Sequence, residues 1–236
     1  PVCKNLFYGI TPNCIKRGFI SAEICKPYTD KIIEEANTEL ALTKAKPTSD
    51  ETAYWSPSLD DAVLILSIMP ADDRITAFHQ QLITDEEYGN KVNSFIYLIN
   101  NNVKFDKKHL ERYLKVPANR ITLYNRLLEI NKQDAFPASF KNQKKLAEGD
   151  LCYTLEFDYE LTNEKLDFLE VREINNQLYY LYRVWQNVNE NISYLGVSGP
   201  HPKEEKTAFE QGAKTGLNWE KINKKLIDEQ FNKIIE

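Results

Sequence analysis

The sequence lacks an apolar run long enough to cross a membrane, since a spanning helix needs about 20 such residues. The longest run, Ala62–Met69, is interrupted by Ser67. Its continuous apolarity fits either a buried helix or a buried strand, and Ser58 as a cap favours the helix. No secretory signal is present, but the chain begins at Pro1 rather than Met, which leaves export open.

The sequence also lacks every pattern that would fix a reaction. No nucleophile elbow, zinc-protease motif, EF-hand loop or dinucleotide fingerprint occurs. The segment Gly212–Gly216 fails the phosphate-loop pattern, because its lysine follows an alanine and we expect a helix around it. We therefore predict no cofactor.

Cysteine is scarce and has no paired spacing. No CxxC pair occurs and no histidine lies close by, so a zinc site, and any metal site, is not predicted. The four cysteines are Cys3, Cys14, Cys25 and Cys152. Disulfides in an oxidising compartment and reduced, buried thiols in a cytosolic protein both remain open. The cluster in the first 25 residues favours an exported, periplasmic or secreted protein over a cytoplasmic one.

Positive charge is in deficit. The chain has 30 Lys and Arg against 35 Asp and Glu, a net charge of −5 and a pI near 5.4. A general nucleic-acid binder usually presents a basic face, so this class is disfavoured. The acidic balance permits a basic protein partner instead.

Glycine is rare in the first half, where only Gly89 lies between Gly18 and Gly149. This scarcity, with apolar residues at helical spacing, predicts a mainly helical first part. Residues 1–28 are the exception, because their glycines and prolines predict irregular structure or short strands. The predicted helices cover about 30–43, 72–82, 84–100, a short stretch from 106, 117–130 and 137–148. The range 84–100 is read from a capping box of Thr84 and Glu87, and the range 117–130 from Pro117 at a first helical position. The range 137–148 ends at Gly149.

The second half begins with a predicted antiparallel sheet. Leu151–Trp185 is predicted to form three strands, the first of which ends at Leu161. That strand shows two-residue alternation, which is typical of a half-buried strand. Asn175 and Asn176 suit a two-residue hairpin turn, since Asn tolerates positive φ. Gln177–Trp185 is apolar on both faces, which predicts a central or doubly covered strand. A fourth strand is predicted at Asn191–Val197, followed by helices over about 203–211 and 218–235.

These elements predict an α+β fold: a mainly helical N-terminal part, an antiparallel sheet of three to four strands over about 151–197, and C-terminal helices packed on the sheet. The length of 236 residues fits one domain, 1–236. A sub-division into a helical part, 1–149, and a sheet-plus-helix part, 150–236, is compatible with the same pattern.

The candidate site lies at the rim of the predicted sheet. One part of it is an acidic row on one strand face: Glu156, Asp158 and Glu160. The other part is the end of the sheet near a Gly-Pro loop, with Trp185 and His201. Two carboxylates could act as acid and base, although such a row is more commonly a solvated exterior. A Cys152–His201 nucleophilic pair is conceivable, although a cysteine at a strand start is ordinarily a small buried hydrophobe.

These observations predict a non-enzymatic soluble binding or protein-interaction protein, such as an inhibitor or immunity-type protein for a basic partner. A hydrolase with a site near Cys152, Asp158 and His201 is the first alternative. An exported, disulfide-stabilised structural or envelope-associated domain is the second.

Overall fold

The computed structural model describes residues 2–45, 57–158, 165–187, 192–203, 214–219 and 223–235. The chain divides into two compact units, Pro1–Leu110 and Glu111–Glu236. The fold is α+β, with helices before and after an antiparallel sheet, as the sequence predicts. No helix in these described ranges is both long and apolar enough to cross a bilayer.

The first unit is helical. Its described helices are α1 (Val2–Lys16), a 3₁₀ helix (Ala22–Tyr28), α2 (Thr29–Ala45), α3 (Pro57–Ile68), α4 (Asp73–Thr84) and α5 (Val92–Asn100), and α6 (Lys107–Tyr113) begins in it. The apolar run Ala62–Met69 is helical up to Ile68, in α3. Every residue from Val92 to Ile99 in α5 is buried, and α5 contacts both α3 and α4. A helix that is buried on every side is enclosed by its neighbours, so α5 lies in the core of this unit.

Two predictions for the first unit are wrong. Residues 2–16 form a helix despite Gly9 and Pro12, because Thr11 and Pro12 are buried and α1 packs on α3. The predicted capping box does not form, since Thr84 belongs to the end of α4 and its hydroxyl donates to the Gln81 carbonyl at 2.8 Å. For residues 2–16, tertiary packing outweighs the low helix propensity of glycine and proline. For Thr84, helix α4 extends two residues beyond its predicted end at residue 82.

The second unit places a four-stranded sheet between two helices. Its elements are α7 (Ala118–Glu129), 3₁₀ turns at Gln133–Ala135 and Ala138–Phe140, α8 (Gln143–Asp158), β1 (Lys165–Ile174), β2 (Gln177–Asn187), β3 (Ile192–Pro202), β4 (Lys214–Trp219) and α9 (Lys224–Ile235). The strand order is β1-β2-β3-β4, all antiparallel. The hairpin turn falls at Asn175 and Asn176, with φ of 51° and 66°, as predicted.

Strand β2 is covered on both faces, which confirms the prediction for Gln177–Trp185. On one face the Tyr182 hydroxyl donates to the Lys144 carbonyl of α8 at 2.8 Å. On the other face a core cluster joins the sheet to α9, and it consists of Leu181, Leu195, Val197, Ile227 and Phe231. An amphipathic helix therefore buries each side of the sheet.

The first predicted strand is wrong, because Leu151–Asp158 belongs to α8. Gly149 does not end a helix but lies inside this one. The buried residues of α8 recur at helical spacing, and they are Leu146, Ala147, Asp150, Leu151, Thr154 and Leu155. The two-residue alternation around Leu155 competes with this longer helical period, and the helical period prevails because it places a buried stripe on the sheet.

The other boundaries of the second half also shift. The predicted fourth strand exists but extends to Pro202, and β4 lies where the sequence predicted a helix around Gly212–Gly216. The last helix begins at Lys224 rather than at residue 218. The helix predicted over 203–211 falls almost wholly outside the described residues.

The cysteines described by the structure are free thiols: Cys14, Cys25 and Cys152. Cys25 is fully buried in the first unit, and burial raises its pKa above the ordinary value. The side chain of Cys3 lies outside the description. The disulfide prediction therefore has no support among the described residues.

Gly149 is needed because α8 crosses α7 closely. A β-carbon at Gly149 would lie 2.7 Å from the Pro117 carbonyl oxygen. We expect Gly149→Ala to lower the free energy of unfolding by about 1 kcal/mol, because overpacking costs about 1–3 kcal/mol while the gain in helix propensity is about 1 kcal/mol. Urea denaturation measures this difference.

The matched control is Gly89→Ala, where a β-carbon would meet nothing within 4 Å. We expect this variant to change the free energy of unfolding by less than about 0.5 kcal/mol. Equal stability of the two variants would contradict the close crossing at Gly149.

Candidate functional site

A buried polar cluster joins α8 to β3. The Ser198 hydroxyl donates to Asp150 Oδ2 at 2.6 Å and lies 2.7 Å from His201 Nε2. His201 Nε2 is 4.0 Å from Asp150 Oδ2, and all three side chains have no exposed surface. A hydroxyl has a single proton. Because that proton is directed to the Asp150 carboxylate, the imidazole Nε2–H donates to the Ser198 oxygen.

The backbone of β3 brings Ser198 and His201 to this position. The Gly199–Pro200 peptide bond is cis, and Gly199 has a φ of 142°, a region that favours glycine. A β-carbon there would lie 2.7 Å from the Leu178 carbonyl oxygen of β2. His201 belongs to β3 and is fully buried, whereas the sequence predicted that it lies in the loop beyond the sheet.

Further hydrogen bonds seat the first turn of α8 on the sheet. The Tyr180 hydroxyl donates to Gln143 Oε1 at 2.9 Å, and Gln143 Nε2 donates to the Pro202 carbonyl at 2.6 Å. These hydrogen bonds lie next to the polar cluster, because the Tyr180 and His201 ring centroids are 6.2 Å apart. Buried polar groups that are mutually hydrogen-bonded fix one arrangement of the elements that carry them.

The cluster differs from a hydrolase triad in its connectivity. In a triad the histidine accepts the serine proton, and the acid holds the other ring nitrogen. Here the carboxylate and the imidazole both bond to the same Ser198 oxygen, and none of the three groups reaches solvent. The arrangement can lock α8 onto β3, but it offers no open position for a substrate.

A second polar group lies at the other end of β2 and is half-buried. The Arg183 guanidinium stacks over the Trp185 ring, 3.4 Å from its centroid. Trp185 Nε1 donates to Asp167 Oδ2 of β1 at 2.6 Å, and Arg183 Nε donates to Ser193 Oγ of β3 at 3.0 Å. Burial lowers the pKa of Arg183, and Asp167 opposes that shift. The group fixes Trp185 across three strands.

The predicted acidic row and the other predicted site residues fall in different elements. Glu156 and Asp158 lie in the last turn of α8, where residues two apart fall on opposite sides of the axis, so the predicted acidic strand face is wrong. Their side chains and all of Glu160 lie outside the description. Trp185 and His201 belong to separate groups, and Cys152 is half-buried in α8.

Two members of the buried cluster were missed by sequence reasoning. Asp150 carries no signal beyond its place after Gly149, and its role depends on α8 being a helix. Ser198 precedes His201 by three residues, and this short Ser-Gly-Pro-His segment is the one local signal for the pair.

In the described ranges, no three His, Cys, Asp or Glu side chains lie close enough together to bind a metal ion. Comparisons with protein-family models, with curated proteins and with solved structures find no match for the chain.

Removing the central hydroxyl tests the role of the buried cluster. In Ser198→Ala, Asp150 and His201 each lose a hydrogen bond in a site without water access. We expect a loss of about 1–3 kcal/mol in the free energy of unfolding for each group affected. Ser67→Ala is the control, because the Ser67 hydroxyl makes one local bond to the Leu64 carbonyl. A Ser198→Ala variant as stable as the control would contradict the proposed lock.

The same cluster predicts an acid-sensitive stability. Burial lowers the pKa of His201 from 6.5 to about 4, so between these pH values the unfolded chain binds a proton that the folded chain does not. The stabilisation is fully present above about pH 6.5 and is lost as the pH falls to about 4. Near pH 5 this effect gives the free energy of unfolding a slope of about 1.4 kcal/mol per pH unit.

We expect His201→Gln to reduce the pH slope of the free energy of unfolding by that amount, since the amide can still donate to Ser198 but does not titrate. His79, whose pKa burial lowers to about 3, gives the variant a remaining slope. Parallel stability curves for wild type and His201→Gln between pH 4 and 6.5 would contradict the assignment.

Proposed function

We propose that this chain is a non-enzymatic protein-interaction protein, of the inhibitor or immunity type, that binds a basic partner along the outer edge of β1. The observation that carries the proposal is the half-exposed apolar surface on this edge strand. Val171 is 49% exposed and Phe168 is 38% exposed.

The position of β1 suits the addition of a partner strand. It lies at one end of the sheet order, and among the described residues β2 is the only strand paired with it. An open edge offers a row of backbone donors and acceptors to an extended segment. A bulge between Phe168 and Glu170 divides the pairing of β1 with β2 into Lys165–Phe168 and Glu170–Ile174. The second part, of five residues, is long enough for a short added strand.

The charges near this edge favour a basic partner. Glu170 and Asp228 both contact Arg172, and Glu173 pairs with Lys203 at 2.6 Å. The sequence of β1 itself holds three carboxylates and two cations, in a chain with a net charge of −5. Complementary charge raises the association rate and disfavours acidic competitors.

Anchoring residues are also at hand. The Phe168 ring packs edge-on against the Tyr182 ring, with 5.6 Å between the centroids. Lys144 Nζ lies 3.7 Å from the centroid of the Phe168 ring. Trp185 and Arg183, one strand further in, are held in place by Asp167 and Ser193. Trp and Arg are enriched among the residues that dominate binding energies, particularly when they are pre-organised.

A selection from a displayed library of random peptides tests this proposal. We expect wild-type protein to enrich extended sequences that alternate apolar and basic residues. Val171→Lys places a cation at the centre of the edge, and we expect it to weaken the best peptide about tenfold by like-charge repulsion. Binding is measured by fluorescence anisotropy.

Val116→Lys is the matched control, because Val116 is a 53% exposed valine of the same unit outside the sheet. We expect this variant to bind as wild type does. No enrichment of peptides, or equal affinity of the two variants, would rule out the β1 edge as the binding surface.

A hydrolase remains the second candidate, and the observation that favours it is the Ser198 oxygen held between a carboxylate and an imidazole. The connectivity and burial of that cluster make it the weaker candidate. Covalent labelling of Ser198 by a fluorophosphonate in the native protein would reverse this order.

A further inference from the structure

The turn that follows α1 exposes the side chain of Phe19 to solvent. Gly18 N–H donates to the Ile15 carbonyl and Phe19 N–H donates to the Cys14 carbonyl, both at 2.9 Å, and Gly18 has a φ of +72°. These bonds form the Schellman motif, in which the residue at the Phe19 position usually packs back on the helix. Phe19 is instead 72% exposed, on a backbone that the motif fixes.

Two cations precede this phenylalanine in the chain, and the first acidic residue of the sequence follows it at Glu23. Lys16 and Arg17 directly precede the turn and are both exposed. Residues 1–22 contain no Asp or Glu, although the chain has 35 of them, and the first acidic residue, Glu23, is paired with Lys26 at 3.6 Å. The segment is therefore basic within an acidic chain.

Further apolar side chains are exposed in the same segment. Ile10 on α1 is 53% exposed, and Ile24 and Tyr28 on the following 3₁₀ helix are 55% and 53% exposed. The Tyr28 ring lies 6.3 Å from Phe7, which brings the 3₁₀ helix against α1. We call the side chains of Ile10, Lys16, Arg17, Phe19, Ile24 and Tyr28 the α1-turn surface.

We propose that the α1-turn surface binds the interface of an anionic lipid bilayer, with Phe19 inserted among the acyl chains and Lys16 and Arg17 at the headgroups. This activity goes beyond the proposed binding of a basic partner at β1. The α1-turn surface belongs to the first unit rather than the second, and its binding partner is anionic rather than basic.

The chemistry favours a bilayer over other anionic partners. Interfacial anchors combine protruding aromatic and aliphatic side chains with Lys and Arg and exclude carboxylates, because the surface is negative and the layer beneath it is apolar. Nucleic acid would use more cations and gain little from Ile10 and Ile24. An acidic protein would need a pocket for Phe19, whereas a bilayer accepts any side chain that projects from a turn.

Co-sedimentation with vesicles tests the proposal on the full chain. We expect wild type to bind vesicles of equal parts phosphatidylcholine and phosphatidylglycerol, and not phosphatidylcholine alone. Reversal of two charges in Lys16→Glu/Arg17→Glu should weaken binding more than tenfold, at about fivefold for each cation lost. Phe19→Ser should weaken it about tenfold by removing the inserted ring.

Leu42→Ser and Lys107→Glu are the matched controls, since both residues are exposed in the first unit outside this surface. They should bind as wild type does, and circular dichroism should show all variants folded. Equal binding to both vesicle types, no binding to either, or retention by the α1-turn variants would overturn the proposal. Binding to polyglutamate beads without binding to vesicles would overturn it in favour of an acidic protein.

Discussion

The hydroxyl group of Ser198 ties helix α8 to strand β3, and the second unit depends on that attachment. The bond to Asp150 fixes where α8 crosses the sheet. Gly196 then permits the contact, since a β-carbon there would lie 2.6 Å from Leu151. With α8 in place one face of the sheet is covered, and α9 covers the other. Buried polar groups supply a specific alignment that apolar contacts alone leave loose.

That alignment also determines which surfaces stay available. Because α8 lies over β2 and β3, the part of the same face on β1 is only partly covered, and Val171 remains exposed. Ser198, Asp150 and His201 are enclosed between α8 and β3, whereas the described exposed features include an apolar strand edge and a basic turn. The two binding surfaces that we propose have opposite charge preferences.

The sequence predicts elements well where one local signal acts alone. The Asn175–Asn176 turn, the doubly covered strand β2 and the helices α2, α4, α6 and α7 follow from turn chemistry and periodicity. It fails where two signals compete. Leu151–Asp158 alternates like a strand yet continues a helical stripe from Leu146. Helix α1 forms through Gly9 and Pro12, where Pro12 is buried and the helix contacts α3.

The candidate sites show the same division. Trp185 and His201 could be named from residue type alone, but their partners could not. Asp150 reaches Ser198 only because α8 continues through Gly149, where the close crossing with α7 leaves no room for a β-carbon. Composition and periodicity by themselves determined the α+β class, the acidic charge and the central strand. Only the tertiary structure decided which polar groups are enclosed and which apolar groups are exposed, because burial depends on residues that are distant in the chain.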